Sequence, residues 1–393
     1  MAAEPPQLPF EQTHPLQMSP TARALQRAAP IHKVHTQVGD EAWYVARYAD
    51  VRRLLDDRRL GRTHPDPANA PRAGKSVLLG DAMGNFATEM SDHALMRSIA
   101  QPLFATKTMR AFRPRIEALA TDLLDRLAEH DRPADLIAEF ALPLPLQVIC
   151  ELLDVPYEDR DRFRAWVLDA SGNEDPSRSR QGLTDLLQYS RALVARRRAE
   201  PGDDLISQVC AAAVDGFGDD KITKLVMALL FAGHETTMVA IGLGAVMLFW
   251  HRDQWEALHD DPGLIAGAVE EILRAPYKNR GGLLRYARAD IEIGEVVIRA
   301  GELVLLDNRA ANHDESVFSD SDRFDITRRD APHVTFGHGP RYCLGAPLAR
   351  IELQVVFSQL IQRFPEMRPA VPVEELMIRD LATGGLSELP VTW

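Results

Sequence analysis

The stretch Phe336-Gly337-His338-Gly339-Pro340-Arg341-Tyr342-Cys343-Leu344-Gly345-Ala346-Pro347-Leu348-Ala349-Arg350 decides how the rest of the sequence is read. A lone cysteine, Cys343, follows a loop carrying Gly337, Gly339 and Pro340 and opens a helical pattern. That pattern sets Leu348, Ile351, Leu353, Val355, Val356, Leu360 and Ile361 largely on one side, with Arg350, Glu352 and Gln354 between them. Cys343 is therefore expected where a glycine turn meets a helix N-terminus. The unpaired N–H groups and the dipole there favour thiolate, the form that binds metal or attacks an electrophile. Residue chemistry leaves three roles open. A buried core cysteine is the commonest fate of such a residue. A zinc site would need further S or N ligands at short spacing, and no second cysteine is near. A catalytic nucleophile would need a histidine base, such as His338.

The 393 residues, 46% of them hydrophobic, supply ample core to enclose a cofactor in one large or two modest domains. A net charge of −12 counts against nucleic acid as a partner. Cys150, Cys210 and Cys343 are widely spaced, which suits a reducing compartment rather than a disulfide framework. Residues 1–20 are Pro-rich, with neither a basic start nor an apolar run, and read as an extended segment rather than a signal peptide or anchor. A cytoplasmic protein without membrane attachment is the expectation.

Strand-like alternation surrounds Trp43-Tyr44-Val45, and a helical pattern runs from Tyr48 to Leu55. Residues 61–90 read as a long loop, usually either functional or disordered. His93 and Arg97 stand at i and i+4 and share a helix face. Residues 110–215 read as amphipathic helices, with a flexible connection from Ser171 to Gln181. From Leu225 to Trp250 the chain is apolar except for His234, Glu235, Thr236 and Thr237. A carboxylate in its middle argues for a buried central helix over a membrane span. Such a group costs several kcal/mol unless paired or wetted, so a helix that carries one is usually using it. Thr236 can bond back to the Ala232 carbonyl beside Gly233, which predicts a local kink with room for water. Glu271 and Arg274 make an i, i+3 pair. Residues 285–306 alternate as strands around turns at Gly294 and Ala300-Gly301.

The string Phe336 to Ala346 resembles the haem-binding loop of the cytochrome P-450 superfamily, with the phenylalanine, both glycines, the cysteine and the next glycine at the family positions. The resemblance covers roughly residues 30–393 and makes Cys343 the axial thiolate ligand of a haem b iron. It implies a single domain over 1–393, mainly α with a small β-rich region. The haem is expected between the long central helix and the cysteine-loop helix, with Gly345 allowing its close approach and Phe336 beside the sulfur. Ala232-Gly233-His234-Glu235-Thr236-Thr237 resembles the family's oxygen-binding groove, in which Glu235 and Thr236 would be the acid–alcohol pair and Ala232 would line the haem. Adjacent helical residues point about 100° apart, so Thr236 is expected to face the iron and Glu235 to link the groove to solvent.

The same resemblance assigns His93, Arg97, Arg285 and Arg341 to the haem propionates, although Thr88-Glu89-Met90-Ser91 replaces the usual Asp-Pro-Pro-Glu lead-in. Guanidinium pairs bidentately with carboxylate, so the assignment is electrostatically sound. Glu271, Arg274 and Arg323 would form the structural lock. The string Lys278 to Arg285, with Gly281, Gly282 and Leu283, and a last hairpin over Leu381 to Trp393, with Gly384 and Gly385, would reach the substrate pocket. The implied activity is O2-dependent oxidation of a secondary metabolite, as in actinobacterial tailoring members, fed by a ferredoxin and its reductase. An acidic ferredoxin would dock near Arg341 and Arg350. Oxidative C–C or C–N coupling of aromatic cyclodipeptides is the alternative reaction, hinted at by the run from Leu60 to Pro67. A non-catalytic haem sensor and a cysteine hydrolase are the other classes, and neither needs a Glu235–Thr236 pair.

Overall fold

Four consecutive buried residues, Leu303–Leu306, form the strand on which one part of the fold is assembled. In the computed structural model, which describes residues 4–12, 16–172, 174–277, 281–329, 332–379, 381 and 383–393, the chain forms two compact bodies. The first comprises Met1–Ser91, Ser171–Ser179 and Glu270–Cys343. Its five-stranded sheet has the spatial order His32–His35, Glu41–Val45, Leu303–Leu306, Leu283–Ala287, Leu60–Gly61. Leu303 and Leu305 join Tyr44, Leu284 and Tyr286 in one core, whereas Val304 and Leu306 join Val45, Leu54 and Ile298 in another. Both faces of the central strand are covered, which is why it reads as an unbroken apolar run. Arg285, opposite Val304, projects from the face away from Leu284 and Tyr286.

The expected strand and helix near residues 41–56 are present as Glu41–Val45 and Tyr48–Asp56, and the turns fall at Gly294 and Gly301, both with positive φ. The N-terminal segment is pinned to the sheet edge, with Leu8 N donating to His35 O and His35 N to Pro6 O. The loop over residues 61–90 is tied down too, by Tyr286 Oη on Pro71 O and by a short helix at Val77–Gly80. Residues 278–280, at the start of the string read as substrate-facing, lie outside the described residues.

Arg274 locks this body. Its side chain is fully buried and grips Glu271 through two 2.7 Å hydrogen bonds. It also donates to the carbonyls of Asn312, Ser321 and Arg323. The expected third side chain is corrected here. Arg323 contributes only its carbonyl, and its side chain is 67% exposed. Arg328 instead brings its guanidinium, 11% exposed, to 3.4 Å from Glu271. The loop turns its carbonyls inward to meet Arg274, and that carries the Arg323 side chain outward.

The second body comprises Asp92–Ala170, Arg180–Val269 and Leu344–Trp393. Its axis is the helix Asp219–Trp250, about 48 Å long at 1.5 Å per residue. This helix is long and apolar enough to cross a membrane, yet most of it is buried in protein. It is continuous helix through Gly233, and the Thr236 hydroxyl makes the expected bond back to Ala232 O. A Cβ at Gly233 would lie 2.6 Å from Ile149 Cδ1, so glycine there lets helix Pro143–Leu153 pack close. The helix Ala346–Arg363 packs on Thr106–Glu129, on the long helix and on Arg252–Asp260. With neighbours on several sides, Glu352 is buried rather than facing water, and desolvation pushes its carboxyl well above the ordinary range.

Two further boundaries differ from expectation. Helix Pro176–Ala199 begins inside the segment read as a flexible connection, with the Asp175 side chain accepting from Ser177 N. The last hairpin spans Met377 to Ser387, closed by Arg379 N on Gly385 O and Ser387 N on Met377 O, and Gly384 and Gly385 take the positive φ that its turn requires. Pro390–Thr392 leaves it to pair with Ala134–Asp135 and Arg368–Pro369.

Removing one member of a buried ion pair typically costs about 3–5 kcal/mol, and an exposed substitution about 0.5 kcal/mol or less. Urea unfolding should therefore show a loss of that larger size for Arg274→Ala and little change for Arg323→Ala. Arg328→Ala should cost more than Arg323→Ala; the reverse order would restore Arg323 as the third member of the lock.

Candidate functional site

In the first body, Cys343 ends a loop shaped by backbone hydrogen bonds. Cys343 N donates to Phe336 O at 2.8 Å, Gly337 N to Val334 O and Tyr342 N to Gly339 O. Gly337 and Gly339 take φ of +75° and +66°, and a Cβ at Gly339 would come within 2.9 Å of Asp56 Cα. Cys343 is half-buried and forms no disulfide, and the Phe336 ring lies 6.2 Å from that of Tyr342. Among the described residues, no group of three His, Cys, Asp or Glu is placed to hold a metal. Gly345 caps helix Ala346–Arg363 at φ −81°, which any residue could adopt, and an added Cβ would meet no protein atom within 4 Å. Neither backbone nor neighbours demand glycine there, which suits a bound group lying against that turn.

Four guanidinium groups gather near one carboxylate on the sheet side of this body. Glu89 accepts from Arg288 at 3.1 Å, from Arg341, from Arg62 N at 2.7 Å and from Thr63. Burial pushes its carboxyl up, but the donors from Arg62 and Thr63 and the charge of Arg341 outweigh that and hold it below the usual value. Arg62 and Arg285 are left with carbonyls, of Leu78 and Leu284. Desolvation first, then repulsion from Arg62 and Arg341, brings Arg285 down to about 9. Guanidinium in surplus, held apart from water, calls for an anion, and a group bearing carboxylates fits. Glu89 also engages Arg341, whose side chain is only 18% exposed, so Arg341 is poorly placed as the docking residue expected for an acidic partner. Gly281 and Gly282 stand where the backbone itself requires glycine. Both have positive φ, and a Cβ at Gly282 would come within 2.6 Å of Asp307 Cα. Leu283 beside them is half-buried.

In the second body, His93 and Arg97 are half-buried on helix Glu89–Leu103, one turn apart. On the long helix, Ala232 and Thr236 are exposed amid buried neighbours, again one turn apart, and the Thr236 hydroxyl donates to Ala232 O at 2.9 Å. Glu235 points elsewhere and is fully buried. Its Oε2 is 3.2 Å from an Arg379 nitrogen, and the same Arg379 nitrogen donates to Gly384 O at 3.0 Å. The direct path to solvent expected for Glu235 is thus closed by the hairpin. Gly385 explains the close fit, because a Cβ there would sit 2.7 Å from Val239 Cγ2. Sequence reading passed over Arg379, Arg288, Arg62 and the pairing of Glu89 with Arg341. The only signal available was the unusual Glu89 lead-in before His93.

A cytochrome P-450 family model matches residues 263–382. Pentalenolactone synthase of Streptomyces exfoliatus is 39% identical over 397 residues, covering 99% of this chain and 100% of the relative. Mycinamicin IV hydroxylase/epoxidase of Micromonospora griseorubida is 37% identical, covering 100% of both. The X-ray structure of a substrate-free epoxidase of the polyene macrolide antibiotic pimaricin superposes with a TM-score of 0.89 at 39% identity, covering 100% of both chains.

Glu89 offers a test of the arginine cluster. Its folded value lies below the ordinary 4.5, so the stability it adds is complete above pH 4.5 and is lost as pH falls through the lowered folded value. Glu89→Gln should lower Tm at pH 7, and the gap to the parent protein should narrow as pH drops below 4.5. A gap independent of pH would show that the carboxylate charge is not what holds Arg288 and Arg341.

Proposed function

The chain belongs to the cytochrome P-450 family and is an oxidoreductase, and from that premise we propose that it holds haem b on Cys343 and oxidises a secondary metabolite with O2. The observation that carries the reading is the cysteine loop: a half-buried thiol at a glycine turn just before a helix N-terminus, followed by open space at Gly345. Bound there, a thiolate-ligated haem supplies reductive activation of O2, the thiolate pushing electron density toward iron and favouring O–O cleavage. Arg285 and Arg341 would bind propionate, and the guanidinium surplus around Glu89 supports this. The one-domain organisation expected over residues 1–393 draws support from full-length relatives and a full-length structural match.

The remaining chemistry belongs to the long helix. Thr236, on the exposed face, orients water through its hydroxyl while its own proton is held by Ala232 O. Glu235, buried and paired with Arg379, carries the proton. A haem sensor has no use for a carboxylate sealed beside an exposed threonine, and that pair favours turnover. The relatives are named as a synthase, a hydroxylase/epoxidase and an epoxidase, which supports hydroxylation or epoxidation over coupling. Electrons would come from a ferredoxin and its reductase in the cytoplasm.

Carbon monoxide added to the dithionite-reduced protein should give the Soret band of thiolate ligation, and Cys343→Ala should abolish it. Retention of both band and turnover in Cys343→Ala would end this reading. Glu235→Gln should slow O2-dependent turnover about 100-fold, the lower end of what a positioned acid contributes. Thr236→Ala should still consume NAD(P)H but divert it to hydrogen peroxide. Product and peroxide formed per NAD(P)H consumed measure both, and full coupling in Thr236→Ala would remove the hydroxyl from proton delivery.

A further inference from the structure

Beside Glu235 the second body buries more hydrogen-bonding atoms than its own groups satisfy. His234 is fully buried, and its Nδ1 lies 2.7 Å from Leu230 O. A carbonyl only accepts, so Nδ1 bears the hydrogen and Nε2 of the neutral ring keeps a lone pair. Burial, with the charges of Arg164 and Arg379 adding to it, lowers the imidazole's proton affinity against the pull of Glu235 and keeps the ring neutral. Among the described residues, Nε2 finds no hydrogen-bond partner, and neither does Glu235 Oε1, 3.9 Å away. Arg379 occupies the other oxygen, Oε2.

Two acceptors at this separation cannot bond to each other, and a proton on either would be too far from the other to be shared. On helix Arg160–Ser171, Phe163 sets its ring edge-on to His234 at 5.9 Å, which fixes the imidazole plane. Two unsatisfied acceptors match the two hydrogens of a single water.

We propose that His234 and Glu235 hold one structural water between them, and that His234 is a positioning residue which aims this water's O–H at Glu235. This deepens the proton-carrier reading of Glu235 and rests on it. His234 Nε2 takes one hydrogen of the water, so the second points at Oε1. With Arg379 on Oε2 and the water on Oε1, both carboxylate oxygens of Glu235 then have a donor. His234 never reaches the substrate, and its effect is exerted through the water.

The test uses the purified haem protein and two variants. His234→Asn keeps an N–H at the Nδ1 position for Leu230 O but loses the acceptor at Nε2. His234→Gln can place its amide oxygen where Nε2 was. In a crystal structure that orders internal waters, the parent protein should show a water within hydrogen-bond distance of both Nε2 and Oε1. Infrared spectra should show no protonated-carboxyl C=O band from Glu235. His234→Asn should lose the water and gain that band, the band should vanish in the double variant with Glu235→Gln, and His234→Gln should restore the parent state. An empty site in the parent protein would overturn the proposal. So would a His234→Asn protein that keeps both the water and the ionised carboxyl. Turnover of Glu235→Gln separates the two ideas: if it is unimpaired, the proton-carrier reading fails even with the water in place. If Glu235→Gln is slow but His234→Asn changes neither water nor band, only the positioning role fails.

Discussion

A charge taken out of water has to find its complement inside the protein, and both bodies of this fold are arranged around that constraint. In the first, Arg274 has no exposed surface and meets it with five acceptors: both oxygens of Glu271 and three loop carbonyls. Those carbonyls come from Asn312, Ser321 and Arg323, so a stretch with little regular structure of its own is held in shape by one side chain. A hydrophobic contact could not do this, because it has no direction. A guanidinium with donors in a fixed plane does.

The same constraint is met only in part elsewhere. Around Glu89 the carboxylate is over-supplied with donors, while among the described residues Arg285 bonds only the neighbouring Leu284 carbonyl. That imbalance is a standing demand for an anion. On the long helix, Glu235 has one oxygen paired with Arg379 and, among the described residues, one without a partner, next to an imidazole nitrogen in the same state. Arg274, by contrast, has its donors met by Glu271 and three carbonyls.

Glycine divides in a similar way. At Gly339, Gly233 and Gly385 a side chain would strike protein, so the residue serves close packing. At Gly345 it would strike nothing within 4 Å. Thr236 and Ala232 carry a related message, being exposed on a helix that is otherwise largely covered.

The sequence by itself determined the elements and the reactive types. The cysteine after its glycine turn, the carboxylate inside an apolar helix, the i, i+4 spacing of His93 and Arg97 and the i, i+3 pair of Glu271 and Arg274 are local facts, fixed by helical period and turn preference. They nominated Cys343 and Glu235, and the resemblance of the strings around them to a known family supplied the fold. Only tertiary structure decided which distant charge answers which. Arg328 rather than Arg323 reaches Glu271, Arg379 closes over Glu235 from 144 residues further along, and Glu89 takes Arg341 from 252 residues away. Local pattern says that a buried charge needs a partner. It carries no information on which arginine supplies one, because that depends on how the chain returns and on which loop turns its side chains outward so that its carbonyls can face in.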